Sequence, residues 1–351
     1  GNSFYVSMDG NNNNSGTESE PFKTIGHALS FVKDDSTITT TIHVGEGVFS
    51  PSTTGEQFPI VLPDHVHLLG ADRETSILDA EADSDKQSRV IKIVEECQNI
   101  TIANFTITGG NAGSAGCIGG GGILVALSTY GSVDAVLKNL IVTDNTAANG
   151  GGVSINRVFG TTLSDLIIQE NTSQYNGGGL RIYSSVASMT GGAVRGNNCI
   201  ADSSSGGGIM IGNSEATLTN ITLTDNTSPG LGGGIAIFNT DAVLTNVTIS
   251  GNAGSVSGGG IGLLQGANTM ITNSIIWDNG PDPLTGLEGI TLTITYSNLE
   301  GGGFAGEGNI SADPLFVDAD NGDYTLQEGS PCRDTGTADV DGDGVDDMTD
   351  Y

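Results

Sequence analysis

The stretch 206–252, GGGIMIGNSEATLTNITLTDNTSPGLGGGIAIFNTDAVLTNVTISGN, states one pattern twice. A glycine triplet leads into a short apolar alternation, a gap follows, and the unit closes on L-T-N-[IV]-T-[LI]-[TS]-x-N. Outward from this stretch, the last glycine of each triplet falls at Gly122, Gly152, Gly179, Gly208, Gly234 and Gly260, at spacings of 30, 27, 29, 26 and 26. An asparagine keeps step with it at Asn145, Asn171, Asn197, Asn226, Asn252 and Asn279, at spacings of 26, 26, 29, 26 and 27. Self-similarity at a period of this size marks a repeat architecture.

After each triplet the pattern is apolar, variable, apolar: Val153 and Ile155, Leu180 and Ile182, Ile209 and Ile211, Ile235 and Ile237. This is the alternation of a strand with one buried face. A second apolar set precedes each ladder asparagine, for example Leu218, Ile221 and Leu223, then Leu244, Val247 and Ile249. Two or three short strands per repeat leave no room for a helix and cannot bury their apolar faces alone. They must stack on the next repeat as a parallel β-solenoid, with rungs about 4.8 Å apart. The glycines then serve corners that need positive φ or close backbone approach. A second polar column runs Asn104, Asn139, Asp165, Asn220, Asn246 and Asn273, with Gly191 breaking it. Stacked amides bond rung to rung and tolerate the left-handed turn conformation. N-x-[ST] triplets such as Asn220-Ile221-Thr222 are therefore read as strand repeats with Asn turned into a corner, not as glycosylation acceptors.

Composition agrees. Glycine, at 55 of 351 residues, is about twice its ordinary share. It lacks the collagen period, and 36% hydrophobic content in regular alternation excludes a disordered chain. With 11 basic against 41 acidic residues the formal net charge is -30. Such a surface repels nucleic-acid phosphates and anionic lipid, and attracts divalent cations. No run of 18 apolar residues spans a membrane. Gly1, close before the strand-like FYVS, reads as a mature or trimmed start. Cys97, Cys117, Cys199 and Cys332 form no CxxC pair. That spacing disfavours zinc and redox motifs, leaving buried thiols or one or two disulfides.

On these marks the chain resembles secreted right-handed parallel β-helix proteins of the pectin-lyase-like superfamily, with GGG[IVL] and [DEG]N repeats similar to those of polymorphic outer-membrane proteins. The start, FYVSMDGNNNNSGTESEPFKTIGHALSFV, looks like the N-terminal segment of bacterial β-helix proteins. It is expected to place a strand and then an amphipathic helix, apolar at Phe22, Ile25, Leu29 and Val32, over the open first coil. The tail from Tyr296 to Asp347 resembles the closing segment of cell-surface β-helix proteins that carry sorting anchors. The expected fold is thus all-β, a right-handed parallel β-helix of about ten coils with a short N-terminal capping helix. The expected division is 1–40 for strand and cap, 41–330 for the β-helix, and 331–351 for an acidic tail.

The superfamily's activities are scattered, so function must come from a site. Hydrolysis of the polygalacturonase kind needs an aspartate cluster with a nearby His and an Arg-x-Lys. The four histidines, His27, His43, His65 and His67, lie near the start, and no Arg-x-Lys exists. Lyase chemistry needs a basic group and calcium at a uronate. Basic residues of the coils are few, Lys138, Arg157, Arg181 and Arg195, and alignment by the triplet puts Arg181 and Arg157 in different columns, although adjacent coils could still bring them near each other. The reading therefore leans away from an enzyme.

Binding is the leading expectation: an adhesin-like, glycan-binding or matrix-forming protein of a bacterial cell surface or the extracellular space. The alternatives are a polysaccharide lyase or glycoside hydrolase acting along a groove, and a self-assembling filament subunit. Glycan-binding candidates are Tyr183 and Phe238, two coils apart, with Asn156, Arg157, Arg181 and Asn213 as hydrogen-bonding groups. The competing reading packs the two rings under a corner or crossing loop. Calcium is the expected ion. The tail places Asp339, Asp341, Asp343, Gly344, Asp347 and Asp350 at positions 1, 3, 5, 6, 9 and 12 of an oxygen-ligand loop, although position 12 is not the longer Glu. A second acidic set, Asp144, Glu170, Asp225 and Asp278, stands just before the ladder asparagines, either sharing an ion or splaying into solvent.

Overall fold

The computed structural model describes residues 1–33, 37–94, 96–113, 119–286 and 288–339. The repeat winds as a parallel β-solenoid. The strand that follows each triplet pairs with its counterpart one coil on: Val153–Gln169 with Leu180–Tyr183, then Ile209–Gly212, Ile235–Phe238, Ile261–Leu263 and Leu284–Gly286. These form the first wall. The second wall includes Val186–Arg195, Glu215–Thr219, Asp241–Thr245, Asn268–Thr272 and Thr291–Thr295. The third includes Thr222–Thr224, Thr248–Ser250, Ile275–Trp277 and Asn298–Leu299. Short ladders such as Thr172–Ser173 with Asn198–Cys199 run beside the loops that return to the next triplet.

Inside, the alternation becomes columns of branched aliphatic side chains. Leu180, Ile209, Ile235 and Ile261 form one, and Ile182, Ile211, Ile237 and Leu263 the next; all are 0% exposed. β-Branched chains suit this pleated surface because their χ1 is already restricted.

The triplet 177–179 shows why three glycines recur. Gly177 turns the corner at φ +65, a Cβ on Gly178 would run into the Gly207 carbonyl oxygen, and one on Gly179 would sit 2.9 Å from the Asn197 amide. The glycine and asparagine marks keep step because the last glycine clears space for the ladder amide. That amide column is fully engaged: Asn171 Nδ2 donates to Asn197 Oδ1 at 3.0 Å, Asn197 Nδ2 to Asn226 Oδ1 at 3.0 Å, and Asn226 Nδ2 to Asn252 Oδ1 at 2.9 Å. Each Oδ1 also accepts the backbone N–H of the preceding ladder residue, at 3.0 Å for Asn171, Asn197 and Asn226.

The N-terminal strand Asn2–Val6 joins the stack by pairing with Thr40–Val44. The helix α1, Ile25–Leu29, is shorter than its apolar spacing suggests. Phe22 is held in a bridge to Val6, so the helix starts only after Thr24, whose Oγ1 accepts the His27 N–H at 3.2 Å. Ile25 and Ala28 are buried. At the other end an antiparallel hairpin, Phe316–Asp318 with Asp323–Leu326, lies beside the third wall. Cys199 and Cys332 are free thiols and Cys97 is buried; Cys117 lies outside the described residues. Among the described residues no helix is long and apolar enough to cross a membrane.

Candidate functional site: a groove at the first corner

Between the first and second walls the chain turns through one left-handed residue per coil: Arg157 (φ 59), Ser184 (φ 53), Asn213 (φ 50) and Asn239 (φ 44). The next residue points inward and locks the turn. Ser185 N–H donates to Ser214 Oγ at 3.1 Å, and Ser214 N–H to Thr240 Oγ1 at 3.1 Å. Each hydroxyl donates back to its own corner carbonyl, at 2.9, 2.7 and 2.7 Å for Ser185, Ser214 and Thr240. Outside this rail Asn239 Nδ2 donates to Asn213 Oδ1 at 2.7 Å.

The amides form one lip of an open groove of about 420 Å³, lined also by Tyr130, Phe159, Val186, Glu215 and Asp241. It runs on into a second hollow of about 490 Å³ that shares Val186, Glu215 and Asp241 and adds Thr217 and Val243. Tyr130 and Phe159 are 61% and 41% exposed, yet their rings stack with centroids 6.1 Å apart and planes 10° from parallel. Two large exposed rings give an apolar platform with a polar edge. Glu215 and Asp241 are register partners on adjacent strands, and both are exposed. Like charges opposite one another are unfavourable unless a ligand or donor intervenes; Asn268 Nδ2 donates to Asp241 Oδ1 at 2.9 Å. Among the described lining residues of both hollows there is no Lys, Arg or His.

The sequence candidates divide. Asn213 lines the groove. Arg157 shares its corner column, with Nη1 donating to the Ser128 carbonyl at 3.2 Å. Asn156 is buried at 5% exposure, while Tyr183 and Phe238 are half-buried. Arg181 is 8% exposed, with its guanidinium carbon 4.3 Å from the Tyr183 ring centroid, so each covers the other. The outer side of the first wall, which the alternation presents as surface, is closed over by the loops that return to each triplet. Leu124, Ser154 and Ala236 are 3%, 0% and 1% exposed.

Of the acidic loop, Asp341, Asp343, Asp347 and Asp350 lie outside the described residues, while the Asp339 carbonyl accepts from Thr337 Oγ1 at 3.0 Å. Asp144, Glu170, Asp225 and Asp278 are left-handed corner residues. Burial pushes the Asp225 carboxyl above its ordinary range, opposed by the Thr224 hydroxyl and the Arg195 charge. Among the described residues no group of three or more His, Cys, Asp or Glu is placed to hold a metal ion.

Tyr130, Phe159, Asn239, Glu215 and Asp241 were not singled out by the repeat. The available signal was irregularity. Against Asn156 and Val158, the preceding coil sets Ala126 and Gly131, so Tyr130 stands on a local insertion that contributes to the 30-residue spacing. Phe159 borders the next register shift.

A family model described as a right-handed β-helix region matches residues 186–309, and one for a protein family of unknown function (DUF1565) matches residues 8–77. No curated protein matches the chain. Among solved structures, the chain is similar to a pectate lyase at 15% identity, TM-score 0.49, covering 95% of this chain and 89% of that one. A mannuronan C-5 epimerase A-module from Azotobacter vinelandii follows at 14% identity, TM-score 0.47, with 78% and 85% covered. A pectin methylesterase from Erwinia chrysanthemi stands at 14% identity, TM-score 0.39, with 99% and 98% covered. The family model describes a right-handed β-helix, and none of these likenesses carries an activity across.

Proposed function

We propose that the chain is a non-catalytic, extracellular glycan-binding β-helix whose first-corner groove receives a polysaccharide chain. The observation that carries this reading is the stacked, solvent-facing pair Tyr130 and Phe159 opening onto the Asn213 and Asn239 amides. Rings supply a face for the C–H surface of a sugar, and amides supply both donor and acceptor for its hydroxyls. Glu215 and Asp241 make the groove a poor host for polyuronates and a better one for neutral or amino-bearing glycans. Affinity electrophoresis against neutral, amino and uronate polysaccharides tests it: retardation by at least one neutral or amino polymer, lost in Phe159→Ala, is expected. No retardation by any of them overturns it.

A second reading has one observation behind it. Carboxylates opposed on adjacent rungs, as Glu215 and Asp241 are, approach the separation of about 5 Å used by retaining glycosidases. Release of reducing ends that disappears in both Glu215→Gln and Asp241→Asn would favour that enzyme. Calcium binding by the loop from Asp339 to Asp350 is a separate proposal resting on ligand spacing alone. Melting temperature measured with and without calcium, in the full chain and in Asp343→Ala, tests it, with a calcium-dependent rise expected only in the former.

A further inference from the structure

One outward position per coil of the second wall runs Phe159, Val186, Glu215, Asp241, Asn268 and Thr291, each the register partner of the next. All six are exposed, and the column passes from a ring and an aliphatic side chain to two successive carboxylates and then to neutral polar groups. Among the described residues neither a hydrogen bond nor an ion pair reaches the Glu215 carboxylate, and Asp241 accepts only from Asn268 Nδ2, through Oδ1. On the neighbouring corner column Asn213 Oδ1 is taken by Asn239, which leaves Asn213 Nδ2 to donate and Asn239 Oδ1 to accept. Each of these groups has bonding capacity to spare.

Two carboxylates on adjacent rungs, about 5 Å apart, repel each other. A ligand hydroxyl between them brings one donor and no charge, and an acetamide does no better. An ammonium brings three donors on a compact cationic head, so it can donate to both carboxylates at once and cancel their repulsion. We propose that Glu215 and Asp241 bracket the ammonium of an amino sugar and so select, within the glycan-binding groove on which this inference rests, a polymer with free amines over its N-acetylated form. Phe159 lies two rungs before Glu215, about 10 Å away. A single sugar does not reach both the ring platform and the carboxylate pair, so the ligand is an oligosaccharide lying along the solenoid axis.

Calorimetric titration of the full chain with a β-1,4-linked glucosamine tetrasaccharide and with its N-acetylated counterpart tests the assignment, in about 0.15 M salt and below the pH at which the sugar amines lose their protons. At that ionic strength the screening length is about 8 Å, so the net charge of -30 adds little beyond the carboxylates nearest the ligand. The free-amine form is expected to bind about tenfold more tightly, the scale of one charge-assisted hydrogen bond. Glu215→Gln combined with Asp241→Asn brings that ratio close to one. Asp9→Asn combined with Glu18→Gln, which removes as much charge from exposed positions near the N-terminus, keeps it. Phe159→Ala weakens both ligands alike and also keeps the ratio. Equal binding of the two ligands, weakened by Phe159→Ala, overturns this inference and leaves the groove standing. Binding of neither overturns it too, while retardation by the polysaccharide panel still decides the groove itself. A ratio retained without the two carboxylates has the same consequence. Should the double variant not fold, Glu215→Gln alone, which loses no protein contact, is expected to lower the ratio about threefold, and an unchanged ratio overturns the inference equally.

Discussion

Two corners of the same coil are built from asparagine, and they do opposite things. At the ladder corner Asn171, Asn197 and Asn226 are 0% exposed and every amide is matched to its neighbours above and below. At the first corner Asn213 and Asn239 bond to each other but stand outside a separate Ser/Thr rail that already holds the turn. The backbone there does not depend on the asparagine side chains, so they are available to a ligand. Burial and redundancy decide whether a repeated amide holds the fold or serves recognition.

The sharpest way to break this comparison is Asn226→Ala. The substitution strands the Asn197 N–H and removes a partner from the Val194 carbonyl and from Asn197 Nδ2, which keeps the Ile168 and Arg195 carbonyls, all in a sealed interior. A stranded buried donor costs about 1–3 kcal/mol and the other lost bonds and the void add to it, so a total loss of about 3–5 kcal/mol is expected in chemical unfolding. A loss below about 1 kcal/mol, the level of an exposed position, would remove the distinction between the corners.

At the groove the order of effects reverses. Phe159→Ala is expected to leave the melting temperature nearly unchanged and to weaken glycan binding about tenfold, since an exposed ring contributes little to the core and much to a sugar stacked on it. Asn239→Gly is milder. The next coil already carries Gly266 at this corner, with φ 75, so the turn is retained. Binding should weaken by about threefold, the loss of one hydrogen bond shared with water. A stability loss comparable to that of Asn226→Ala would show that the first corner, too, depends on its amides.

The regular part of the molecule was legible from one sequence because stacking forces every coil to repeat the same solution. Ile209, Ile235 and Ile261 had to face one column, and the glycine triplets had to meet the ladder amides. Of the candidate groove only Asn213 was legible, because the rings beside it stand where the period breaks. Tyr130 sits on the insertion opposite Arg157. Reading variable positions inside the repeat instead pointed to Tyr183 and Phe238, whose surroundings depend on returning loops that periodicity does not describe. The short helix α1 was shifted by a contact, Phe22 to Val6, that no helical spacing records.

Glu56 sharpens the comparison in a charged form. Like a ladder amide it is buried, at 1% exposure, and bonded to backbone: its carboxylate accepts the Ile25 N–H at 2.6 Å and the Gly26 N–H at 2.9 Å at the start of α1. Unlike an amide it bears a charge, and burial raises its pKa above the ordinary value of 4.5 despite the bonds from Gly26, Ile25 and Gln57. A carboxyl whose folded pKa is raised adds stability that is fully present below its unfolded pKa and fades as pH rises through the folded value. Wild type should therefore lose stability relative to Glu56→Gln as pH rises through and above the ordinary carboxyl range. Melting curves of the two proteins across that range measure it. A difference that stays flat, or that grows in favour of wild type, would mean that the helix N–H groups outweigh desolvation and that Glu56 behaves as a ladder residue after all.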